Sequence, residues 1–318
     1  MWALLFSAMN AVLDPLFIFP LRMGAAGAAL GTALSQTLAL VGLLRVLERK
    51  VGPRACSAAA LCSRRTLRTL APTLRGYARA GALIFFRTWG KVIAYAYCSR
   101  AAAALGAVAS AAHLLCFNLG VVLSQLCESI AVATQTLLAR AMGAVRAVDA
   151  DAALAAASGG GGGDARDGAR ARSVRAAFHV MRRGALAGAL VASALTALTA
   201  ARPRAVIAGL TTDAAVRAQC HRILAPMLAC QLCKGLAYPA NGVVMGGLDW
   251  QFATFGIWAG SALCIGLVAA APQPPSLATI WVGLSLFMGS QSLLSIARVV
   301  SRTGPWGMLY RGDQEKEK

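Results

Sequence analysis

The sequence has 318 residues, of which 58% are hydrophobic and only 14% are charged. Soluble globular domains carry about 25% charged residues, so this composition excludes an ordinary soluble protein and indicates a membrane protein. The formal net charge of +19 comes from 31 basic and 12 acidic residues. Because the basic residues gather in loops between apolar segments, this charge indicates membrane topology rather than nucleic-acid binding.

Apolar segments recur along the whole chain, and a helix of about 20 apolar residues is long enough to cross a bilayer. We therefore predict an all-α, polytopic membrane bundle with about eight transmembrane helices. The first 22 residues lack the basic start and the short apolar core of a signal peptide. The predicted spans, in chain order, are 2–21, 24–47, 79–101, 106–142, 176–200, 219–245, 250–271 and 278–300.

The first predicted span contains a carboxylate, Asp14, which is followed directly by Pro15 and preceded by Asn10. Ionisable groups inside a membrane are costly and usually functional. Residues four apart share a helix face, so the amide of Asn10 can hydrogen-bond the carboxyl group of Asp14. Proline removes a helix hydrogen bond, which predicts a kink at Pro15. We interpret the three residues as a proton-binding site at a helix kink; the alternative is a structural hydrogen bond from Asp14 to a neighbouring helix.

The third and fourth predicted spans contain further polar candidates. Arg87 and Lys91 are four residues apart; they could bind an anionic substrate, pair with Glu128, or extend to the membrane interface. Gln125, Glu128 and Gln135 form a polar stripe, which indicates either a second proton or substrate site or hydrogen bonds between helices. We predict that Glu128 binds a proton and that Gln125, Gln135, Arg87 and Lys91 bind the substrate.

The loops divide the chain into regions. We predict two helices of one lobe in 1–50, a basic cytosolic connector in 51–78, six helices in 79–302 and a polar tail in 303–318. Within the six-helix region, 144–175 is predicted to be a low-complexity, glycine-rich loop. Alternate loops and the tail hold 22 basic residues against six on the other side, which places them and both termini in the cytosol.

Motifs of enzyme chemistry are absent from the sequence. It has no HExxH, no zinc-type cysteine pairs, no Ser/His/Asp set and no nucleotide-binding P-loop, so we predict no enzyme activity, no metal and no cofactor. Cys230 and Cys233 form a CxxC pair within a predicted span and are interpreted as buried small side chains. Cys56 and Cys62 lie in a loop, where they could pair or stay reduced. Asp249 is predicted to cap a short loop.

Five segments of the sequence resemble one family of transporters. The run Asn10-Ala-Val-Leu-Asp-Pro-Leu-Phe-Ile, followed by Gly24-Ala-Ala-Gly-Ala-Ala, is similar to the fifth and sixth helices of the multidrug and toxic compound extrusion (MATE) family. The run Gln135-Thr-Leu-Leu-Ala-Arg-Ala-Met-Gly resembles the end of the eighth helix. Val243-Val-Met-Gly-Gly-Leu-Asp resembles the tenth helix and the turn after it, and Gly304-Pro-Trp-Gly is similar to plant and algal members.

The resemblance implies a fold and a function. MATE proteins have twelve helices in two six-helix lobes, and they export organic solutes in exchange for protons or sodium. The chain would then begin at the fifth helix, as a partial first lobe followed by a six-helix second lobe, and Asp14 and Asn10 would match the cation site of the first lobe. We expect about four more spans to be encoded upstream, and we expect the 318-residue chain alone not to transport.

The resemblance therefore predicts a multi-pass antiporter that exports organic solutes or xenobiotics. A proton is the expected coupling ion, with sodium as the alternative. The expected partners are membrane lipid and small organic solutes, with no nucleic acid and no obligate protein partner. The plastid envelope, the vacuolar membrane and the plasma membrane stay open as locations. The other functions considered are a lipid-linked flippase of related fold, a membrane-embedded enzyme, and a non-transporting remnant.

Overall fold

The structure of the protein is a computed structural model that describes residues 2–51, 64–158 and 163–314. The described residues form eleven α-helices and one 3-10 turn, and they contain no strand, so the predicted all-α membrane bundle is confirmed. The helices are α1 (Trp2–Ile18), α2 (Gly24–Val51), α3 (Arg64–Ala104), α4 (Ala107–Ala157), α5 (Gly163–Ala201), α6 (Pro203–Leu210), α7 (Ala214–Arg222), α8 (Leu224–Gly246), α9 (Trp250–Ala270), α10 (Leu277–Val300) and α11 (Gly307–Gln314).

Each of the eight predicted spans falls on a described helix, although 219–245 is interrupted at Ile223, between α7 and α8. By length and hydropathy alone, five helices qualify as membrane spans: α2, α4, α5, α9 and α10. Helix α1 carries a shorter apolar stretch, Ser7–Ile18. Helices α3 and α8 are long enough but contain Arg87, Lys91 and Lys234, which lower their mean hydropathy.

The loop boundaries differ from those predicted. The region 144–175 is mostly helical, since α4 runs to Ala157 and α5 begins at Gly163. The region is rich in alanine, a strong helix former, and the loop was predicted because only its glycines were counted. The predicted tail, 303–318, is also structured: a 3-10 turn spans Gly304–Trp306 and α11 follows it. The part of the connector that contains Cys56 and Cys62, the glycines of 159–162 and the last four residues lie outside the described residues.

The chain divides into two compact units, Met1–Ala78 and Arg79–Lys318. In the first unit, α1 packs against α2 through small residues on α2. A Cβ added to Gly27 would collide with the backbone of Phe17, and Ser35, two turns further along α2, is fully buried. This small-residue spacing allows close helix contact within a membrane.

In the second unit, α8 is the central helix and packs against α4, α5 and α10. Its glycines lie directly on the neighbouring backbones: a Cβ on Gly242 would collide with the carbonyl of Ala131, and one on Gly235 would collide with Ala192. In the interface between α5 and α8, Gly188 of α5 lies against Pro239 of α8. Side chains of α8 are therefore held at fixed positions by packing on three sides.

Hydrogen bonds join α9 to α3. Hydroxyl and indole groups of α9 donate to backbone carbonyls of α3 at distances of 2.8 to 3.2 Å. These bonds hold α3 in register with the rest of the second unit, because each uses a carbonyl at a different turn. The pairs are Thr254 to Leu83, Trp258 to Phe86, and Ser261 to Gly90.

An ion pair fixes the turn between α8 and α9. Arg298 Nε donates to Asp249 Oδ2 at 2.8 Å, and the Asp249 side chain is only 8% exposed. Asp249 precedes α9 but its side chain makes no capping hydrogen bond, so the predicted loop cap is wrong. The arginine also donates to Thr303 Oγ1 and lies over the ring of Phe252, which ties the segment after α10 to this turn.

Candidate functional site

A cavity of about 140 Å³ lies inside the second unit, between α3, α4, α8, α9 and α10. Its lining is divided between apolar and polar side chains, and the polar ones come mainly from α3, α4 and α8. The lining residues are Arg87, Lys91, Glu128, Ala131, Val132, Gln135, Ala237, Tyr238, Asn241, Gly242, Met245, Ile257, Phe287, Met288 and Gln291.

Helix α3 contributes two cations to this cavity, one turn apart. The ammonium of Lys91 lies 5.9 Å from the ring centroids of both Tyr95 and Tyr238, within the range of cation–π attraction. The Nε of Arg87 is buried and has no hydrogen-bond partner among the described residues. The aromatic rings thus position Lys91, while Arg87 keeps a buried donor available.

The carboxylate of Glu128 faces the same cavity from α4 and is close enough to interact electrostatically with Arg87 and with Lys91. It forms no ion pair with either: the pairs found among the described residues are Arg170–Asp149 and Arg298–Asp249. The cavity therefore brings together one acid and two bases that are not joined in contact pairs.

Only part of the predicted polar stripe on α4 faces the cavity. Glu128 and Gln135 are seven residues, about two turns, apart and both line the cavity. Gln125, one turn before Glu128, is exposed and does not belong to the lining. The structure thus groups Arg87, Lys91, Glu128 and Gln135, and leaves Gln125 outside.

Other polar residues of the cavity were not predicted. Asn241 Nδ2 donates to Gln291 Oε1 at 2.9 Å and so joins α8 to α10 beside Tyr238. Lys234, on α8, is 7% exposed and lines a second cavity of about 10 Å³ that shares Met288 with the first. Lys234 could have been predicted, because it is a cation within a predicted span. The Asn241–Gln291 hydrogen bond could not, because it joins residues that are 50 apart in the sequence.

The first unit contains the other predicted site. The Oδ1 atom of Asp14 is buried and packed against Gly31 of α2, where a Cβ would collide with it. This atom has no hydrogen-bond partner among the described residues, so it does not receive the expected bond from the amide of Asn10, and Oδ1 of Asn10 is also buried without a partner. Helix α1 continues through Pro15 to Ile18. One oxygen of the Asp14 carboxyl group is therefore tightly packed and unpartnered.

Comparison with known proteins gives plant relatives. The chain is 27% identical over 317 residues to Protein DETOXIFICATION 44, chloroplastic, of Arabidopsis thaliana, covering 98% of this chain and 52% of the relative. It is 25% identical over 309 residues to Protein DETOXIFICATION 45, chloroplastic, of the same plant, covering 95% of this chain and 47% of the relative. The chain spans about half the length of these curated relatives. No protein-family model matches it.

Solved structures share the fold. An outward-facing multidrug resistance MATE family transporter of the MOP superfamily superposes with a TM-score of 0.69 and 15% identity, over 98% of this chain and 62% of that one. A MOP superfamily transporter from Pyrococcus furiosus gives a TM-score of 0.69 at 14% identity, over 95% of this chain and 61% of that one. The resemblance inferred from the sequence is confirmed at the level of the fold.

Proposed function

We propose, from the premise that this multi-pass membrane protein is of the MATE type, that it exports small organic solutes in exchange for protons. The relatives named DETOXIFICATION support export as the direction of transport. The observation that carries the proposal is the cavity of the second unit. It holds ionisable groups in a helical bundle, where such groups are rarely placed without a function.

The solute binds in this cavity. Ligand sites are concave and mostly apolar, with a few convergent polar groups that orient the ligand. The cavity has both parts: Phe287 and Ile257 supply apolar surface, while Arg87, Lys91 and Glu128 supply charge. Because α8 is held by close packing on several sides, the groups that it presents are already in place before the solute binds.

The coupling proton binds to Asp14. Its Oδ1 is buried and lacks a partner among the described residues, so this oxygen gains no compensating hydrogen bond there. Protonation removes the charge and leaves a neutral group that fits against Gly31. Deprotonation restores an unpaired charge. This charge is more stable when the contact between α1 and α2 changes so that the carboxylate reaches water or a cation. The two protonation states therefore favour different arrangements of α1, and this difference drives release of the solute.

Transport in proteoliposomes tests the proposal. The protein is purified in a full-length context, because the 318-residue chain alone is not expected to transport, and it is reconstituted with a panel of radiolabelled organic solutes inside the vesicles under an imposed pH gradient. We expect solute efflux that depends on the gradient and stops when a protonophore dissipates it. Efflux that is unaffected by the protonophore would refute proton coupling. No gradient-driven efflux of any solute in the panel would refute the transport function.

A further inference from the structure

The charges around the cavity of the second unit do not balance. Two cations, Arg87 and Lys91, line it against one carboxylate, Glu128. The carboxylate is exposed, whereas both cations are partly buried and the Nε of Arg87 is fully buried without a partner among the described residues. A buried charged donor without an acceptor is costly, so a ligand that supplies an acceptor at the cavity wall is bound favourably.

A third cation adds to this imbalance. Lys234 is buried beside the cavity, in the small neighbouring space that shares Met288 with it. Within the described residues, Lys234 belongs to no ion pair. Interactions between charges in the low-dielectric interior are stronger than in water, so three cations and one exposed acid make the cavity repel a cationic ligand and attract an anionic one.

The size and the apolar surface limit what kind of anion fits. A cavity of about 150 Å³ lined by apolar side chains binds benzene, and this cavity is about 140 Å³. Phe287 and Met288 form its apolar part, while Arg87 and Lys91 lie on α3. Arginine binds carboxylates in a planar, two-point geometry, and lysine adds a second positive charge.

We propose that this cavity binds a small organic anion: a carboxylate attached to an apolar group of about the size of one aromatic ring. The carboxylate contacts Arg87 and Lys91, and the apolar group contacts Phe287 and Met288. This inference rests on the proposed transport function, because it names the class of solute that is carried. It also assigns a role to Glu128, which lowers the affinity for the anion by repelling it.

A set of three probes of equal size and different charge tests the inference. Benzoate is anionic, benzamide is neutral and benzamidinium is cationic. Equilibrium binding of each radiolabelled probe is measured with the full 318-residue chain in nanodiscs of zwitterionic lipid. We expect benzoate to bind at least about tenfold more tightly than the other two, since each charge–charge contact inside a protein changes affinity by about that factor or more.

Substitutions then locate the site. Lys91→Gln and Arg87→Gln should each weaken benzoate binding about tenfold, whereas Glu128→Gln should strengthen it severalfold. Arg204→Gln is the matched control: it removes the same charge at an exposed position away from the cavity lining, and it should leave binding unchanged. The opposite responses of Lys91→Gln and Glu128→Gln cannot come from a general loss of folding, which would weaken binding in both variants.

The outcomes separate this inference from the proposed function. A preference for benzamidinium, equal binding of the three probes, or no binding of any of them would overturn the inference. Benzoate binding that is weakened by Glu128→Gln would also overturn it. If benzoate binds as expected but the reconstituted protein carries no proton-driven flux, the anion site stands and the transport function fails. If flux occurs for neutral or cationic solutes alone, transport stands and the anion site fails.

Discussion

Asp249 and Asp14 have opposite surroundings. Asp249, in the turn between α8 and α9, is joined to Arg298 at 2.8 Å and is nearly inaccessible to solvent. Asp14, on α1, has a buried oxygen with no partner among the described residues and is packed against a glycine. In the sequence, Asp14 lies within the first predicted span and Asp249 lies between two spans. The structure shows that the first charge is balanced locally and the second is not.

Under the proposed mechanism, this difference separates the structural carboxylate of Asp249 from the proton-binding carboxylate of Asp14. The ion pair of Asp249 holds α10 and the following segment against the α8–α9 turn. The carboxylate of Asp14 makes no such contact among the described residues, which leaves it available for the proposed role. Substitution of each aspartate by asparagine should therefore affect different properties of the protein.

The largest expected effect is that of Asp14→Asn on transport. Asparagine keeps the size of the side chain but cannot release a proton, so proton-driven efflux should fall to the level of empty vesicles. Stability should be unchanged or slightly higher, because an unpaired buried charge is removed. Glu48→Gln is the control, since it removes an exposed carboxylate from the same unit. Wild-type efflux in Asp14→Asn would exclude Asp14 from the coupling mechanism.

The second prediction concerns Asp249→Asn, which should lower stability instead. It leaves Arg298 beside a neutral amide in a partly buried position, at a cost of about 2 kcal/mol after allowance for the exposure of the arginine. Unfolding in detergent, followed by circular dichroism, measures this change. The double variant Asp249→Asn/Arg298→Gln should regain part of the loss. Asp151→Asn, at an exposed position, serves as the control. If Asp249→Asn is as stable as Asp151→Asn, the ion pair contributes nothing to stability.

Much of the fold could be predicted from the sequence. Apolar runs and loop charges locate helices reliably because burial in a membrane requires continuous apolar length. The loop at 144–175 was predicted wrongly. Its glycines and charges were taken as a loop pattern, whereas its alanine-rich part extends α4 to Ala157. Helix ends depend on such local propensities, and the membrane requirement does not fix them.

The candidate site was predictable only in part. Charged residues inside predicted spans pointed to Arg87, Lys91 and Glu128, because each one stands out in an apolar context. The grouping of these residues with Tyr238 and Gln291 depends on which helix faces meet, and a single sequence does not give that information. The same limit explains why a loop cap was predicted for Asp249 instead of an ion pair: its partner, Arg298, lies 49 residues away.

The third prediction tests the contact that holds Asp14. In Gly31→Ala, the added Cβ would collide with Oδ1 of Asp14, so α1 and α2 must separate or the carboxyl group must turn. We expect a loss of about 1–3 kcal/mol in stability, as for other overpacked sites. Gly76→Ala is the matched control: nothing lies near its Cβ, and alanine should stabilise that helix by about 0.5–1 kcal/mol. Asp14→Ala removes the colliding oxygen; if it restores the stability of Gly31→Ala no better than Glu48→Ala does, the strain does not come from the carboxyl group.

The smallest expected effect on transport is that of Glu128→Gln, which completes the comparison with a third carboxylate. Glu128 is exposed and faces two cations without contacting either, so it is neither paired like Asp249 nor tightly packed like Asp14. Charge interactions at exposed positions contribute about 0.2–1 kcal/mol, which limits the expected change in efflux to about fivefold.

The direction should depend on the solute: efflux of an organic anion at low concentration should rise, because repulsion is removed, and that of a neutral solute should stay constant. Initial rates of proton-driven efflux in proteoliposomes measure both, with Gln125→Ala, an exposed position on the same helix outside the cavity lining, as the control. A loss of efflux for every solute, as large as that of Asp14→Asn, would instead make Glu128 a coupling carboxylate and would end the distinction drawn here between packed and exposed acids.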